Sequence, residues 1–183
     1  DRFPNGAEIS MAALVDDSIS YLGVRREGDS LVVFDNQHRV YEIGSISKVL
    51  TSSMAAQLAN EGKLDLDAPA DSYLSFRLAN EVSVTPRQLA NHTSGLPRMP
   101  SNIMMYAVTH PNNPYKTYDA QKLQTYLSKK AKLESAPGAT YTYSNLGAGF
   151  LGYVLTQIEE TSYESLLQRQ ICQPLDMEHT TTN

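Results

Sequence analysis

The spacing of apolar residues changes character near residue 45. Before it, short apolar-rich runs ("I-S-M-A-A-L-V-D-D", "I-S-Y-L-G-V-R-R", "L-V-V-F-D", "R-V-Y-E-I") are separated by the turn-forming "E-G-D" and "D-N-Q". This punctuation predicts two or three strands before residue 43. From Ser45 onward, Ile46, Val49, Leu50, Met54 and Leu58 recur at three- and four-residue intervals, which predicts a helix. Gly62 stands where a C′ glycine would close it.

Helical signals fill the rest of the chain. Thr85 with Pro86 at the first helical position opens a short helix through Leu89. Residues 119–131 read as another, with Leu123, Tyr126 and Leu127 on one face. A third runs from about Asn145 to Glu160 after the turn "A-P-G-A-T-Y", and Thr161 with Glu164 has capping-box spacing for a last one. Between them, residues 95–118 are irregular and rich in Pro, Asn, Met and Tyr; a loop of that length usually binds something or covers a site. Two or three strands need more partners, and an unpaired edge invites association. The chain reads as part of a fold, ending at "H-T-T-T-N" with no closing element.

Composition narrows the classes. At 183 residues, 41% hydrophobic and 19% charged, the chain suits one globular domain or part of one. A net charge of −5 gives no electrostatic reason to expect a nucleic-acid partner. Lys129, Lys130 and Lys132 form the one basic cluster and read as the solvated end of a helix. A single cysteine, Cys172, lies among apolar residues and is expected to be a small core residue. The four histidines have no ligand spacing with one another or with Cys172, so neither a metal site nor a cofactor is expected. The longest apolar stretch, residues 146–155, is well short of the roughly 20 residues of a spanning helix. The start, "D-R-F-P-N-G-A-E", has no apolar signal-peptide core.

Candidate chemistry begins at "Y-E-I-G-S-I-S-K-V-L-T". Positions three apart share a helix face, so Lys48 can reach the Ser45 hydroxyl. A serine becomes a useful nucleophile when a neighbouring base takes its proton, and a lysine can serve if its charged form is disfavoured. Ser45 reads equally well as an N-cap. Chance alone supplies about one Ser-x-x-Lys and one Tyr-x-Asn in a chain of this composition. Here each occurs once, just before a predicted helix, roughly a hundred residues apart.

Five stretches in order give a wider pattern: "Y-E-I-G-S-I-S-K", "L-A-N-H-T-S-G-L-P-R-M-P", "N-N-P-Y-K-T-Y", "P-G-A-T-Y-T-Y-S-N-L-G-A-G-F-L-G" and "S-Y-E-S-L-L-Q-R-Q-I-C-Q-P-L-D-M". The pattern resembles the serine β-lactamase-related family of class C β-lactamases, D-alanyl-D-alanine carboxypeptidases and related esterases, from about Gly6 to Thr180. The resemblance implies an α/β (α+β) fold of the β-lactamase/transpeptidase type. It would have a sheet portion at 1–43 and a mostly helical portion at 44–183 that carries the active-site motifs. It implies a serine hydrolase working through an acyl-enzyme on β-lactams, D-Ala-D-Ala-type peptides or esters, in a periplasmic or secreted setting. Ser45 is then the nucleophile and Lys48 its proton acceptor. Tyr143 is the second acid/base group, and Asn145 binds the acyl side of the substrate. The Ser45 backbone N–H supplies half of an oxyanion hole. His92 is expected to fix its loop and Ser94 to be a turn residue. Met104, Met105, Tyr115 and Tyr118 either line the cleft or form the loop's own small core; Met104 and Tyr115 are taken as substrate-binding candidates.

The family's third motif, Lys-Thr-Gly or His-x-Gly on a later strand, has no counterpart here: "K-T-Y" lacks the glycine and precedes Tyr143. The usual N-terminal helix and three C-terminal strands are also expected to be missing. Losing one oxyanion donor costs about 3 kcal/mol. The alternative to a hydrolase is therefore a non-catalytic ligand-binding or dimerisation module, self-associating or completed by a second chain.

Overall fold

The structure, a computed structural model, describes residues 3–103, 106, 108, 110, 113 and 115–182. It divides into two units, Asp1–Ile43 and Gly44–Asn183.

The first unit is an antiparallel three-stranded sheet of β1 (Glu8–Val15), β2 (Ser18–Glu27) and β3 (Ser30–Val33), in that order. Val15 pairs with Ser18, so Asp16 and Asp17 form a two-residue hairpin loop, and both have positive φ (47° and 61°). Aspartate tolerates that conformation, which matches the twist of the flanking strands. The second hairpin turns at "E-G-D", with Gly28 at φ +61°. Gly23 on β2 admits no side chain: a Cβ there would lie 2.2 Å from the Phe34 carbonyl oxygen and 2.3 Å from Asn36 Oδ1. The buried Asn36 side chain donates to the Ile9 carbonyl at 3.1 Å. The fourth apolar run, 39–43, is not a strand; after Phe34 N–H bonds to Gly23 O, the chain turns at Asn36–Arg39 and leaves the ladder. Leu14, Val15, Ile19, Leu31 and Val33 are exposed.

The second unit is helical. A 3₁₀ turn, Gly44–Ile46, leads into α1 (Ser47–Asn60), followed by α2 (Pro86–Ala90), α3 (Ala120–Lys129), α4 (Asn145–Ile158) and α5 (Tyr163–Leu167). The chain continues from α5 through a π turn, Gln168–Cys172, and a 3₁₀ turn, Gln173–Leu175. α4 is the central element. Phe150, Leu151, Val154 and Leu155 are buried in one core with Met54 and Leu58 of α1, Leu89 of α2, Tyr126 and Leu127 of α3 and Leu166 of α5. Thr85 and Gln88 form a reciprocal capping box on α2, and Gly62 closes α1 at φ +71°. Cys172 is buried, and burial raises its thiol pKa.

Two readings are corrected. The buried face of α1 is Thr51, Met54, Ala55 and Leu58, whereas Ile46 and Val49 point away and are 62% and 63% exposed. At 100° per residue Val49 falls opposite the Met54–Leu58 stripe. The cap of α5 is Ser162, whose Oγ accepts from Ser165 N–H at 3.1 Å, rather than Thr161. Glu164 instead accepts from the Thr182 hydroxyl and N–H and from the Gln168 amide, and these bonds, the hydroxyl's first, lower its carboxyl pKa.

Candidate active site

Ser45 sits in the 3₁₀ turn ahead of α1, and its hydroxyl does not cap the helix: α1 has no side-chain N-cap bond. Gly44 has φ +52°, and a Cβ there would meet nothing within 4 Å. Glycine is therefore required by conformation and not by crowding. Ser47 Oγ donates to the Gly44 carbonyl at 2.7 Å and pins the turn. This leaves the exposed Ser45 Oγ to accept from Lys48 Nζ at 3.2 Å and from the Tyr143 hydroxyl at 2.5 Å.

Tyr143 reaches Ser45 from an extended segment that a distant stretch, residues 92–98, holds down bond by bond. Thr142 N–H donates to the His92 carbonyl at 2.8 Å, and Ser144 N–H donates to His92 Nδ1 at 3.2 Å. The buried Ser144 Oγ donates to the Pro97 carbonyl at 2.7 Å and accepts from Gly147 N–H at 2.9 Å as the N-cap of α4. The N–H groups of Asn145 and Leu146, which have no acceptor inside a helix, both bond to the Arg98 carbonyl. Gly95 permits the bracket: its φ is +72°, and a Cβ would lie 2.2 Å from the Ser135 carbonyl oxygen. Ser94 is buried, and its Oγ accepts from Leu96 N–H, a local turn contact.

Charge around the phenol is one-sided. Lys48 Nζ and Arg98 Cζ each lie 5.0 Å from the Tyr143 ring centroid. Hydrogen bonding with Lys48 and then with Ser45, together with the positive charges of Lys48 and Arg98, holds the phenol below the ordinary tyrosine pKa. Proton exchange among Ser45, Lys48 and Tyr143 is therefore geometrically direct.

Beside this trio lies a cleft of about 920 Å³, lined by Ser45, Lys48, Tyr115, Leu123, Asn145 and Tyr153 among others. Gly149 and Gly152 on the α4 wall keep it open. Asn145 Nδ2 donates to the Tyr115 hydroxyl at 3.1 Å, and that hydroxyl donates to Met99 Sδ at 2.9 Å. Tyr118 also lines the cleft, but its hydroxyl donates to Asn102 Oδ1 at 2.8 Å and its pKa is pushed by burial to about 12, so it belongs to the loop's own packing. Met104 and Met105 lie outside the described residues. The structure thus gathers Ser45, Lys48, Tyr143, Asn145 and Tyr115 in one place and adds His92, Arg98 and Met99. No local pattern marks these three as neighbours of Tyr143; the signal available was that "N-H-T-S-G-L-P-R-M-P" sits in an ordered series with the other motifs.

Among the described residues no cluster of His, Cys, Asp and Glu could hold a metal ion, and no helix is long and apolar enough to cross a membrane.

The comparisons with known proteins agree on one family. Residues 33–183 match the Beta-lactamase family model. The D-alanyl-D-alanine-carboxypeptidase/endopeptidase AmpH of Escherichia coli is 32% identical over 88% of this chain and 46% of its own length. A β-lactamase of Providencia stuartii is 29% identical over 96% of this chain and 42% of its own length. The solved β-lactamase/D-alanine carboxypeptidase of Yersinia pestis superposes with a TM-score of 0.75 at 25% identity, covering 97% of this chain and 50% of that one. The chain spans about half the length of the relatives named here. With a three-stranded antiparallel sheet, a helical unit and these relatives, the chain belongs to the beta-lactamase family, whose members named here are hydrolases.

Proposed function

We propose that this chain carries the nucleophilic centre of a serine hydrolase that works through an acyl-enzyme on β-lactam, D-Ala-D-Ala-type peptide or ester substrates. The observation that carries the reading is the meeting of Lys48 Nζ and the Tyr143 hydroxyl on one exposed oxygen, Ser45 Oγ. In its neutral form Lys48 takes the Ser45 proton as the oxygen attacks the substrate carbonyl, and so becomes the cation beside Tyr143. Tyr143, its phenol acidified by Lys48, returns a proton to the leaving group and later draws one from the deacylating water. The Ser45 N–H, at the start of a helical run where backbone donors have no intrahelical acceptor, supports the oxyanion. Asn145, with Tyr115 over it, holds the acyl side. In this reading residues 1–183 are a partial β-lactamase-like domain, 1–43 its sheet portion and 44–183 its helical portion, acting in a periplasmic or secreted setting.

Nitrocefin, a p-nitrophenyl ester and a D-Ala-D-Ala peptide test the reading side by side. At least one should be hydrolysed by the chain and not by its Ser45→Ala variant. Identical rates for the two proteins on all three substrates would overturn it.

A second reading is favoured by the exposed apolar side chains of the sheet, among them Leu14, Ile19 and Leu31. Exposed strands of this kind invite pairing, so the chain associates with a second copy or with a chain that supplies further strands. Light scattering that gives a monomer mass at high protein concentration would exclude self-association, and titration with the matching strands would then test the partner.

A further inference from the structure

His92 makes contact with four consecutive residues. Its ring meets Tyr141 edge-on at 5.8 Å between centroids (88°) and lies against Tyr143 at 4.5 Å (37°). Its carbonyl accepts from Thr142 N–H, and its Nδ1 accepts from Ser144 N–H at 3.2 Å. No other side chain among the described residues is hydrogen-bonded or stacked on both flanks of the phenol in this way. Phenylalanine could stack there but not accept a proton, and asparagine could accept but not stack.

An Nδ1 that accepts from an amide carries a lone pair, so its proton sits on Nε2. Protonating the ring would place a proton on Nδ1 and turn that acceptor into a donor facing the Ser144 N–H. Ser144 is buried, with 1% of its surface exposed, so its amide would be left without an acceptor. The imidazolium would also be a third cation beside a ring that already has Lys48 and Arg98 at 5.0 Å.

We propose that His92, as the neutral Nε2-protonated imidazole, is a positioning residue that aims the Tyr143 phenol at Ser45 Oγ, and that its protonation releases the phenol. The proposal rests on the reading that Tyr143 works on Ser45. It makes acid inactivation a property of the bracket and not only of the reacting groups. The titratable and charged groups that face His92 or its phenol are Lys48 from α1, Tyr141 and Tyr143 from the segment before α4, and Arg98 from the bracket itself. Burial, and then the charge of Lys48, lower the imidazole pKa from its ordinary 6.5. The neutral form therefore prevails at neutral pH, and the switch lies on the acid side of the ordinary histidine range.

The test pairs wild type with His92→Asn. Asparagine keeps an acceptor atom the same number of bonds from the backbone, does not titrate, and tolerates the left-handed conformation of residue 92 (φ +62°). With a fluorophosphonate, the rate of Ser45 labelling in wild type should fall about tenfold as the pH drops through the His92 titration. His92→Asn keeps the acceptor but loses the stack on Tyr143, so it should label about three- to tenfold more slowly than wild type at neutral pH and lose that acid limb. An acid limb with the same midpoint in His92→Asn would overturn the proposal. A second readout does not depend on reactivity. In NMR, the Ser144 amide and the Tyr143 Cζ resonances should move with the His92 midpoint in wild type and stay fixed over that range in His92→Asn. A Ser144 amide indifferent to the His92 titration overturns the proposal even where Ser45 labels well. Coupled titration without any labelling supports the positioning role and sinks the catalytic reading instead.

Discussion

Two tyrosines stand at the candidate site, one on Ser45 and one in the wall of the cleft beside it, and they are held in different ways. Tyr143 stands on backbone that residues 92–98 grip through the His92, Pro97 and Arg98 carbonyls and the His92 imidazole. Tyr115, 46% exposed, is held by its own turn, where Tyr118 N–H donates to its carbonyl at 2.9 Å, and by two side chains at the cleft: its hydroxyl accepts from Asn145 and donates to Met99 Sδ. Groups that move protons need positions good to about half an ångström, and backbone-to-backbone bonds supply that. A wall that receives different acyl groups gains from exposed side chains and from a soft thioether that adapts to its neighbour. Under the proposed hydrolase reading, the difference separates a fixed proton-transfer flank from an adaptable binding flank.

Gly95→Ala should do the most to erase the contrast. The new methyl would collide with the Ser135 carbonyl, and residue 95 would keep a left-handed φ of +72°. A loss of about 3 kcal/mol in chemical denaturation is expected, with the Tyr143 side losing its order first. A change below about 0.5 kcal/mol would show that the bracket yields freely. Tyr143→Phe keeps the ring stack and removes the hydroxyl; kcat should fall at least about tenfold with KM little changed, the signature of a group acting in the transition state. Tyr115→Phe is the smallest change. The Asn145 amide loses one acceptor on an exposed flank, so kcat should hold within about threefold while KM shifts among acyl groups. A larger kcat loss in Tyr115→Phe than in Tyr143→Phe would invert the assignment of the two flanks.

Much of the helical unit was legible because its signals are local. Thr85–Pro86, the apolar spacing through Met54 and Leu58, and Gly62 each act within a few residues of their own position. The strands and the "E-G-D" turn were legible for the same reason. Errors arose where a local pattern had two uses. Ile46 and Val49 extend the apolar rhythm of α1 yet fall outside its buried stripe, and Thr161–Glu164 has capping-box spacing although the neighbouring Ser162 makes the cap. Residues 39–43 are rich in strand formers but lie beyond the end of the ladder. At the site, the helix spacing brings Lys48 to Ser45, but nothing local to Tyr143 says that it comes within 2.5 Å of the same oxygen. The bracket was hidden for the deeper reason that it joins residues about fifty positions apart through backbone carbonyls, which no residue type announces. His92 was expected to fix a loop; which loop it fixes, and that Arg98 shares the task, came from the structure.

Covalent capture at Ser45 tests the central claim most directly. The chain and its Ser45→Ala variant are incubated with benzylpenicillin and, separately, with a serine-directed fluorophosphonate, and intact mass is followed. One adduct per chain, mapped by peptide digestion to Ser45 and absent from Ser45→Ala, is the predicted result. Equal labelling of both proteins, or none on the wild-type chain with either reagent, would contradict the account.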